Sequence, residues 1–294
     1  MVPFDHSAVG AYLSGQIEGG QRVRSWRSLL FVPGARPERF EKALAGGADV
    51  VCIDLEDAVP PPQKADARVW AIEFISRERE AAPALGLRLN GLRTRDGIGD
   101  LAILIASEAR PDFVMVPKAA HAEELAILAS VLGPRARLFP ILESAEGLRN
   151  VWDICAAPQV EAVLFGGADY SADLGAALTW EAMLHARSAL AAAAARAGVA
   201  LFDVPHLDVE DDAGLADSTQ RVKALGFTGR ACIHPRQVAT VNAAFTPTTA
   251  EVERARRVIA ALEEAKGAAA LLDGKLIELP VIRAAERVLA RAVD

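Results

Sequence analysis

Short apolar runs alternate with longer helix-like runs from Ser28 to His234, and few fold classes accommodate that rhythm. Residues 28–33, 49–54, 87–90, 113–117, 136–142, 162–165, 199–204 and 231–234 read as strands. Between them, residues 37–46, 64–79, a stretch around 99–107, 122–132, 147–155, 181–197 and 214–225 read as helices. The first of these has Pro37 at its start and Gly46 at its end, the usual placement of the two residues. The strands are apolar throughout and hairpin signals between them are scarce, which implies a parallel sheet covered on both faces. With about eight strand–helix units, the expected fold is a closed (β/α)₈ TIM barrel. A doubly wound open sheet is the alternative; no GxGxxG follows the first strand, which weakens it.

The chain continues beyond the last strand. Residues 251–266 read as a helix, 267–280 as a loop and the end as a helix again. The expected organisation is a barrel with an N-terminal lead-in over residues 1–246 and a C-terminal helical extension with a lid loop over 247–294.

Hydrophobic residues make up 52% of the chain, yet no run approaches the ~18 uninterrupted apolar residues of a membrane span. The alanine-rich run at 189–195 is flanked by Arg187 and Arg196. The first twenty or so residues carry Asp5, His6 and Glu18 and lack the basic-then-apolar order of a secretory signal. A net charge of −7 argues against a nucleic-acid partner. Cys52, Cys155 and Cys232 are far apart and each lies in an apolar segment. They read as buried free thiols, as expected of a protein of the reducing cytoplasm.

In a (β/α)₈ barrel the chemistry sits at the C-terminal ends of the strands. Those ends carry Asp54-Leu55-Glu56-Asp57, Arg88 with Asn90, Lys118, Glu143, Asp169, Asp203 and His234, an acidic mouth with few cations. Glu143 and Asp169 fall on adjacent strand ends and could share one hard cation such as Mg²⁺, which takes one or two carboxylates and keeps other positions for water or substrate. Alternatively each acid caps a helix or faces solvent. Arg88 lies between two leucines and needs a partner if buried. It could recognise a carboxylate or enolate oxygen with its planar fork, or form a structural ion pair with Glu56 or Asp57.

The run RSLLFVPGARPERFEKAL, then DVVCIDLEDAV…K…AR, LRLN, FVMVPK, PILESAEGLRN, LFGGADYSADLG, LGFTGRACIHPRQV and LLDGKLIELPVIRAA resembles, in order, the citrate lyase beta-subunit-like branch of the HpcH/HpaI aldolase superfamily. The resemblance covers about residues 27–290. It implies a barrel with a C-terminal extension, a homotrimer or larger homo-oligomer, and Mg²⁺. It further implies cleavage or formation of a C–C bond in a 3-hydroxyacyl thioester of CoA or of an acyl-carrier protein, of citryl, malyl, citramalyl or hydroxymethylglutaryl type.

Carried over by motif, Glu143 and Asp169 become the metal ligands and Arg88 the substrate-binding, catalytic arginine. Phe31, Lys42, Ile233 and His234 become thioester and CoA contacts, Glu143 also touches the substrate, and Glu56 and Asp57 support these residues from behind. The family's catalytic acid, an Asp supplied across a subunit interface, falls on Glu278. Ala168 stands where many members have Glu. Two other readings remain: a pyruvate-type aldolase acting on free hydroxy-keto acids, and a non-catalytic barrel. The first expects a His where this chain has Asp57, and the intact Arg88, Glu143 and Asp169 speak against the second.

Overall fold

The computed structural model describes residues 26–79, 82–134, 136–265 and 270–292. Eight strands close into a barrel in chain order. They are β1 Ser28–Pro33, β2 Val50–Asp54, β3 Ala84–Arg88, β4 Phe113–Val116, β5 Leu138–Leu142, β6 Ala162–Phe165, β7 Ala200–Asp203 and β8 Gly229–Cys232. All neighbours are parallel, and β8 returns to β1 with Ser28 opposite Arg230. Closure leaves no strand edge unpaired.

The apolar runs follow from burial on both sides. Leu29, Val50, Cys52, Phe113, Met115, Phe139, Ile141, Leu164, Phe202 and Ala231 fill the barrel interior. The alternate residues, among them Leu30, Val51, Ile53, Leu87, Val116, Val163 and Leu201, join the core beneath the surrounding helices. Each strand therefore looks apolar at every position, although its side chains alternate between two cores.

β3 and β8 start earlier than the sequence suggests, at Ala84 and Gly229 rather than at 87 and 231. The cause is glycine. Gly86 and Gly229 look like strand breakers but lie under aromatic rings. A Cβ on Gly86 would stand 2.7 Å from the Phe113 ring, and one on Gly229 2.7 Å from the Phe202 ring. Phe113 in turn stacks on Phe139 at 4.2 Å, and Trp26 meets Phe139 at 5.2 Å. The glycines make room for large rings that fill the barrel.

The predicted helix over 147–155 is two helices, Ala145–Arg149 and Val151–Cys155, separated at Asn150. Helices Gly167–Leu174 and Arg236–Phe245 have no counterpart in the sequence reading. Trp26–Phe245 form one compact unit, and Thr246–Asp294 belong to a second. In the second unit, Thr249–Glu264 and Leu279–Ala292 pack around Val258, Ile277, Ile282 and Ala285. The stretch 267–280, expected to be a loop, contains a hairpin of Ala270–Leu272 and Lys275–Ile277. Its turn is Asp273-Gly274 with φ of 51° and 76°, the left-handed geometry that an Asp-Gly pair favours.

The three cysteines are free and buried. Burial pushes the Cys155 and Cys232 thiols up to about 12 and raises Cys52 well above the ordinary thiol range. Among the described residues no helix is long and apolar enough to cross a membrane.

Filling the space beside Phe113 should be costly. Gly86→Ala is expected to lower the free energy of unfolding by about 1–3 kcal/mol through overpacking. Chemical denaturation of the variant against the parent protein measures it; equal stabilities would show that the aromatic layer can shift aside.

Candidate active site

The inward positions of the strands lead directly to the polar mouth. Val50 and Cys52 on β2 are followed at the same parity by Asp54; on β3, Gly86 is followed by Arg88; on β5, Phe139 and Ile141 are followed by Glu143. Asp54 and Arg88 are register partners across β2 and β3. Arg88 donates from Nε to Asp54 Oδ1 at 2.7 Å and from Nη2 to Asp54 Oδ2 at 2.5 Å. Its Nη1 lies 2.9 Å from Glu56 Oε2 and 3.5 Å from Asp57 Oδ2. The guanidinium also sits 5.1 Å above the Phe31 ring. Burial alone would lower the pKa of Arg88, but Asp54, Glu56 and Asp57 more than reverse this, so it is held firmly charged.

Lys118 joins this arginine cluster to Glu143. Its Nζ donates to Glu56 Oε1 at 2.8 Å, while its backbone N–H donates to Glu143 Oε1 at 2.6 Å. To do both, Lys118 adopts φ of 55°, a left-handed conformation that costs a non-glycine residue of order 1–3 kcal/mol.

Glu143 is 4% exposed, and no ion pair neutralises it among the described residues. Its pKa is pushed up to about 8, first by desolvation and then by repulsion from Glu56 and Asp169, against the Lys118 N–H and Arg88. The carboxyl rests against Gly166, where a Cβ would stand 2.5 Å from Glu143 Oε2. Asp169 lies exposed in the first turn of Gly167–Leu174. That helix is tied to the segment after Glu143, because Asp173 Oδ2 accepts the Ala145 N–H at 2.7 Å. The carboxylates of Asp54, Glu56, Asp57, Glu143 and Asp169 outnumber the cations of Arg88 and Lys118. A buried carboxyl without a cation, close to a solvent-facing one, fits a divalent ion. Two carboxylates that leave further positions to water or substrate are the donor set Mg²⁺ takes; among the described residues no group of three or more His, Cys, Asp or Glu side chains able to hold a metal occurs.

The structure therefore brings together Phe31, Glu56, Asp57, Arg88, Glu143 and Asp169 of the sequence candidates. Lys42 lies exposed on the helix Phe40–Leu44 after β1. Ile233 and His234 lie exposed at the β8 exit, where His234 Nδ1 accepts the Arg236 N–H at 3.3 Å. Among the described residues no hydrogen bond or ion pair joins Lys42, Ile233 or His234 to the arginine cluster. Glu278 is exposed in the second unit, and its carbonyl accepts the Val281 N–H at 2.9 Å. Asp203 is no part of the mouth. It takes the outward parity on β7 and pairs with Arg187 at 2.9 Å and Arg230 at 3.9 Å inside the protein. Sequence reasoning missed Asp54 as the main partner of Arg88, and Gly166 as the seat of Glu143. Counting by twos from the interior residues would have found Asp54.

A carboxyl whose pKa is raised in the folded state favours folding at low pH and loses that contribution as pH rises through the folded value. Without divalent cations, Glu143→Gln should therefore gain stability relative to the parent between about pH 5 and pH 9, by about 4 kcal/mol. Denaturation midpoints in chelator at the two pH values test this. A difference that does not vary with pH would return the Glu143 carboxyl to its ordinary range.

Comparison with known proteins identifies the family of the chain. The pattern of the HpcH/HpaI aldolase/citrate lyase family matches residues 27–235. The chain is 34% identical to an L-malyl-CoA/beta-methylmalyl-CoA lyase of Cereibacter sphaeroides, over 95% of this chain and 98% of that protein. It is 33% identical to a (3S)-malyl-CoA thioesterase of the same species, over 92% and 96% respectively. The solved structure of protein CitE from Mycobacterium tuberculosis with magnesium, acetoacetate and coenzyme A superposes with a TM-score of 0.79. That match has 33% identity and covers 92% of this chain and 98% of the other. A pattern matched from the start of the barrel to its last strand, with relatives aligned over nearly their whole length, makes this chain a member of the HpcH/HpaI aldolase/citrate lyase family.

Proposed function

We propose that this chain is a Mg²⁺-dependent carbon–carbon lyase that cleaves, or in reverse forms, a 3-hydroxyacyl-CoA thioester such as malyl-CoA. One observation carries the reading. The under-neutralised carboxyl of Glu143, with Asp169 near it, shares a barrel mouth with the firmly charged Arg88. Glu143 and Asp169 would hold the ion, which supplies Lewis-acid polarisation and a template for the 2-oxo-acid half of the substrate.

The remaining steps belong to the chain's own residues. The substrate hydroxyl gives its proton to water, the C2–C3 bond breaks, and its electrons pass into a thioester enolate. Arg88 gives Nε and one proton of Nη2 to Asp54, and its Nη1 faces Glu56 and Asp57, so the second Nη2 proton is the donor left for a developing negative oxygen. A preorganised donor of this kind is worth roughly 3–4 kcal/mol. Asp54 and Glu56 keep that guanidinium from turning away, and Phe31 supports its flat face. The enolate carbon then takes a proton. By family resemblance that acid is Glu278 of a neighbouring subunit in a homotrimer or larger assembly. Lys42, Ile233 and His234 would contact the CoA, Lys42 as a point charge for a phosphate. Buried free thiols suit a cytoplasmic enzyme.

A second reading, hydrolysis of the same thioester, is favoured by the similarity to a malyl-CoA thioesterase. The products separate the two: a lyase releases a 2-oxo acid and a shorter acyl-CoA, whereas a thioesterase releases free CoA thiol and the intact hydroxy acid.

Purified protein incubated with Mg²⁺ and a panel of 3-hydroxyacyl-CoA thioesters should release a 2-oxo acid, and chelator should stop it. Glu143→Gln should abolish the release, and Arg88→Lys should lower kcat by about 10²–10³-fold. Glu278→Gln should also be nearly inactive, and mixing it with Glu143→Gln subunits should recover part of the activity. Release of free thiol without 2-oxo acid would decide for hydrolysis. Full activity in Glu143→Gln would place the chemistry elsewhere.

A further inference from the structure

The motif DLEDAV…K…AR contributes Glu56 and Asp57 to the mouth but leaves Lys64 and Arg68 without a part in the reaction. The structure gives them one. Lys64 opens the helix Lys64–Ile75 that follows β2. An ammonium has three protons, and this one has three acceptors: the Leu55 carbonyl at 2.9 Å, the Glu56 carbonyl at 2.9 Å and Asn90 Oδ1 at 2.6 Å. In an extended strand successive residues face opposite sides. Two consecutive carbonyls converging on one ammonium mark the point where the chain turns out of β2. Asp54 holds the same turn from the other side, its Oδ1 accepting the Glu56 N–H at 2.8 Å and its Oδ2 the Ala58 N–H at 3.1 Å.

The clamp continues to the β3 exit. The Asn90 backbone N–H and Nδ2 both donate to Asp100 Oδ2 at 2.7 Å. Asp100 Oδ1 accepts from Arg68 Nε at 2.6 Å. Lys64 and Arg68 are four residues apart, so one helix face presents both cations. Asp100 and Asn90 are 1% and 5% exposed, so their polar groups depend on these partners.

We infer that Lys64 is a positioning residue: through the Leu55 and Glu56 carbonyls and Asn90 it fixes where the Glu56 carboxylate stands, and with it Arg88 and Lys118. Glu56 touches both of those cations, so a displaced β2 exit would displace the arginine that faces the substrate. The kinetic part of this inference rests on the lyase reading; the structural part does not.

Two variants, Lys64→Met and Lys64→Gln, remove the ammonium. Hydrogen exchange should rise in residues 54–63 and stay unchanged in β4 to β7. With an active thioester, kcat should fall by about 10²-fold, with the Mg²⁺ dissociation constant unchanged, because a displacement of about 1 Å is enough for such a loss. A third variant allows rescue. Lys64→Cys treated with 2-bromoethylamine regains an ammonium, and the three native thiols resist alkylation because they are buried with raised pKa values. Rescue of both exchange and kcat is expected. Unchanged exchange at 54–63 would overturn the inference, and so would loss of protection throughout the barrel or failure of both variants to fold, since Lys64 would then serve the whole fold. A parent protein inactive on every thioester would sink the lyase reading alone, and the exchange results would still decide the role of Lys64.

Discussion

The pair formed by Arg88 and Asp54 is the interaction around which the barrel mouth is built. Their side chains are 12% and 2% exposed, and both charges have been taken largely out of water. Removing an ion from water costs several kcal/mol even after the protein relaxes, and attraction between two charges offsets this only with close geometry and further hydrogen bonds. Here the geometry is a two-bond fork, Asp54 also accepts two backbone N–H groups, and Glu56 and Asp57 add to the field on Arg88. An arginine so constrained has little rotational freedom left. It offers a fixed positive edge to whatever enters the mouth.

The same arrangement creates an excess of negative charge that the protein leaves uncompensated on the other side. Lys118 serves both halves, with its ammonium on Glu56 and its amide on Glu143. One residue in a left-handed conformation thus sets the spacing between the arginine cluster and the carboxyl pair. Among the described residues that amide is the one hydrogen-bond donor to Glu143, and burial, with repulsion from Glu56 and Asp169, raises its pKa. A carboxyl in this state gains most from a cation, since the ion replaces both the missing water and the proton it would otherwise hold. Family membership and the buried electrostatics therefore point to the same chemistry by separate routes.

Much of the fold could be read directly. Each strand expected from its apolar run is present, and the helix at Ala122–Leu132 falls where its pattern placed it. The misreadings have local causes. Gly86 and Gly229 hide the starts of two strands because a glycine that admits an aromatic ring looks the same in sequence as one that ends a strand. The hairpin near the C-terminus stands where a loop is expected, its turn made by Asp273-Gly274. The motifs and the order of strands put Arg88, Glu143 and Asp169 at the C-terminal ends of β3, β5 and β6, and that is where they lie. Asp203 also ends a strand, but its parity is opposite to that of the inward residues Ala200 and Phe202, which turns it away from the mouth to Arg187.

By itself, then, the sequence determined the succession of strands and helices, the closure expected of about eight such units, and the identity of the charged residues at the strand ends. Those are properties of local pattern and of order along the chain. Only the tertiary structure decided which charge meets which. Arg88 and Asp54 are 34 residues apart, Lys118 and Glu56 are 62 apart, and Lys64 reaches Asn90 across 26. Hydrogen bonds of this kind require the distance between groups on different strands to be right to within a few tenths of an ångström. Those distances are set by how the closed sheet aligns its strands and packs its interior, which no local pattern along the chain records.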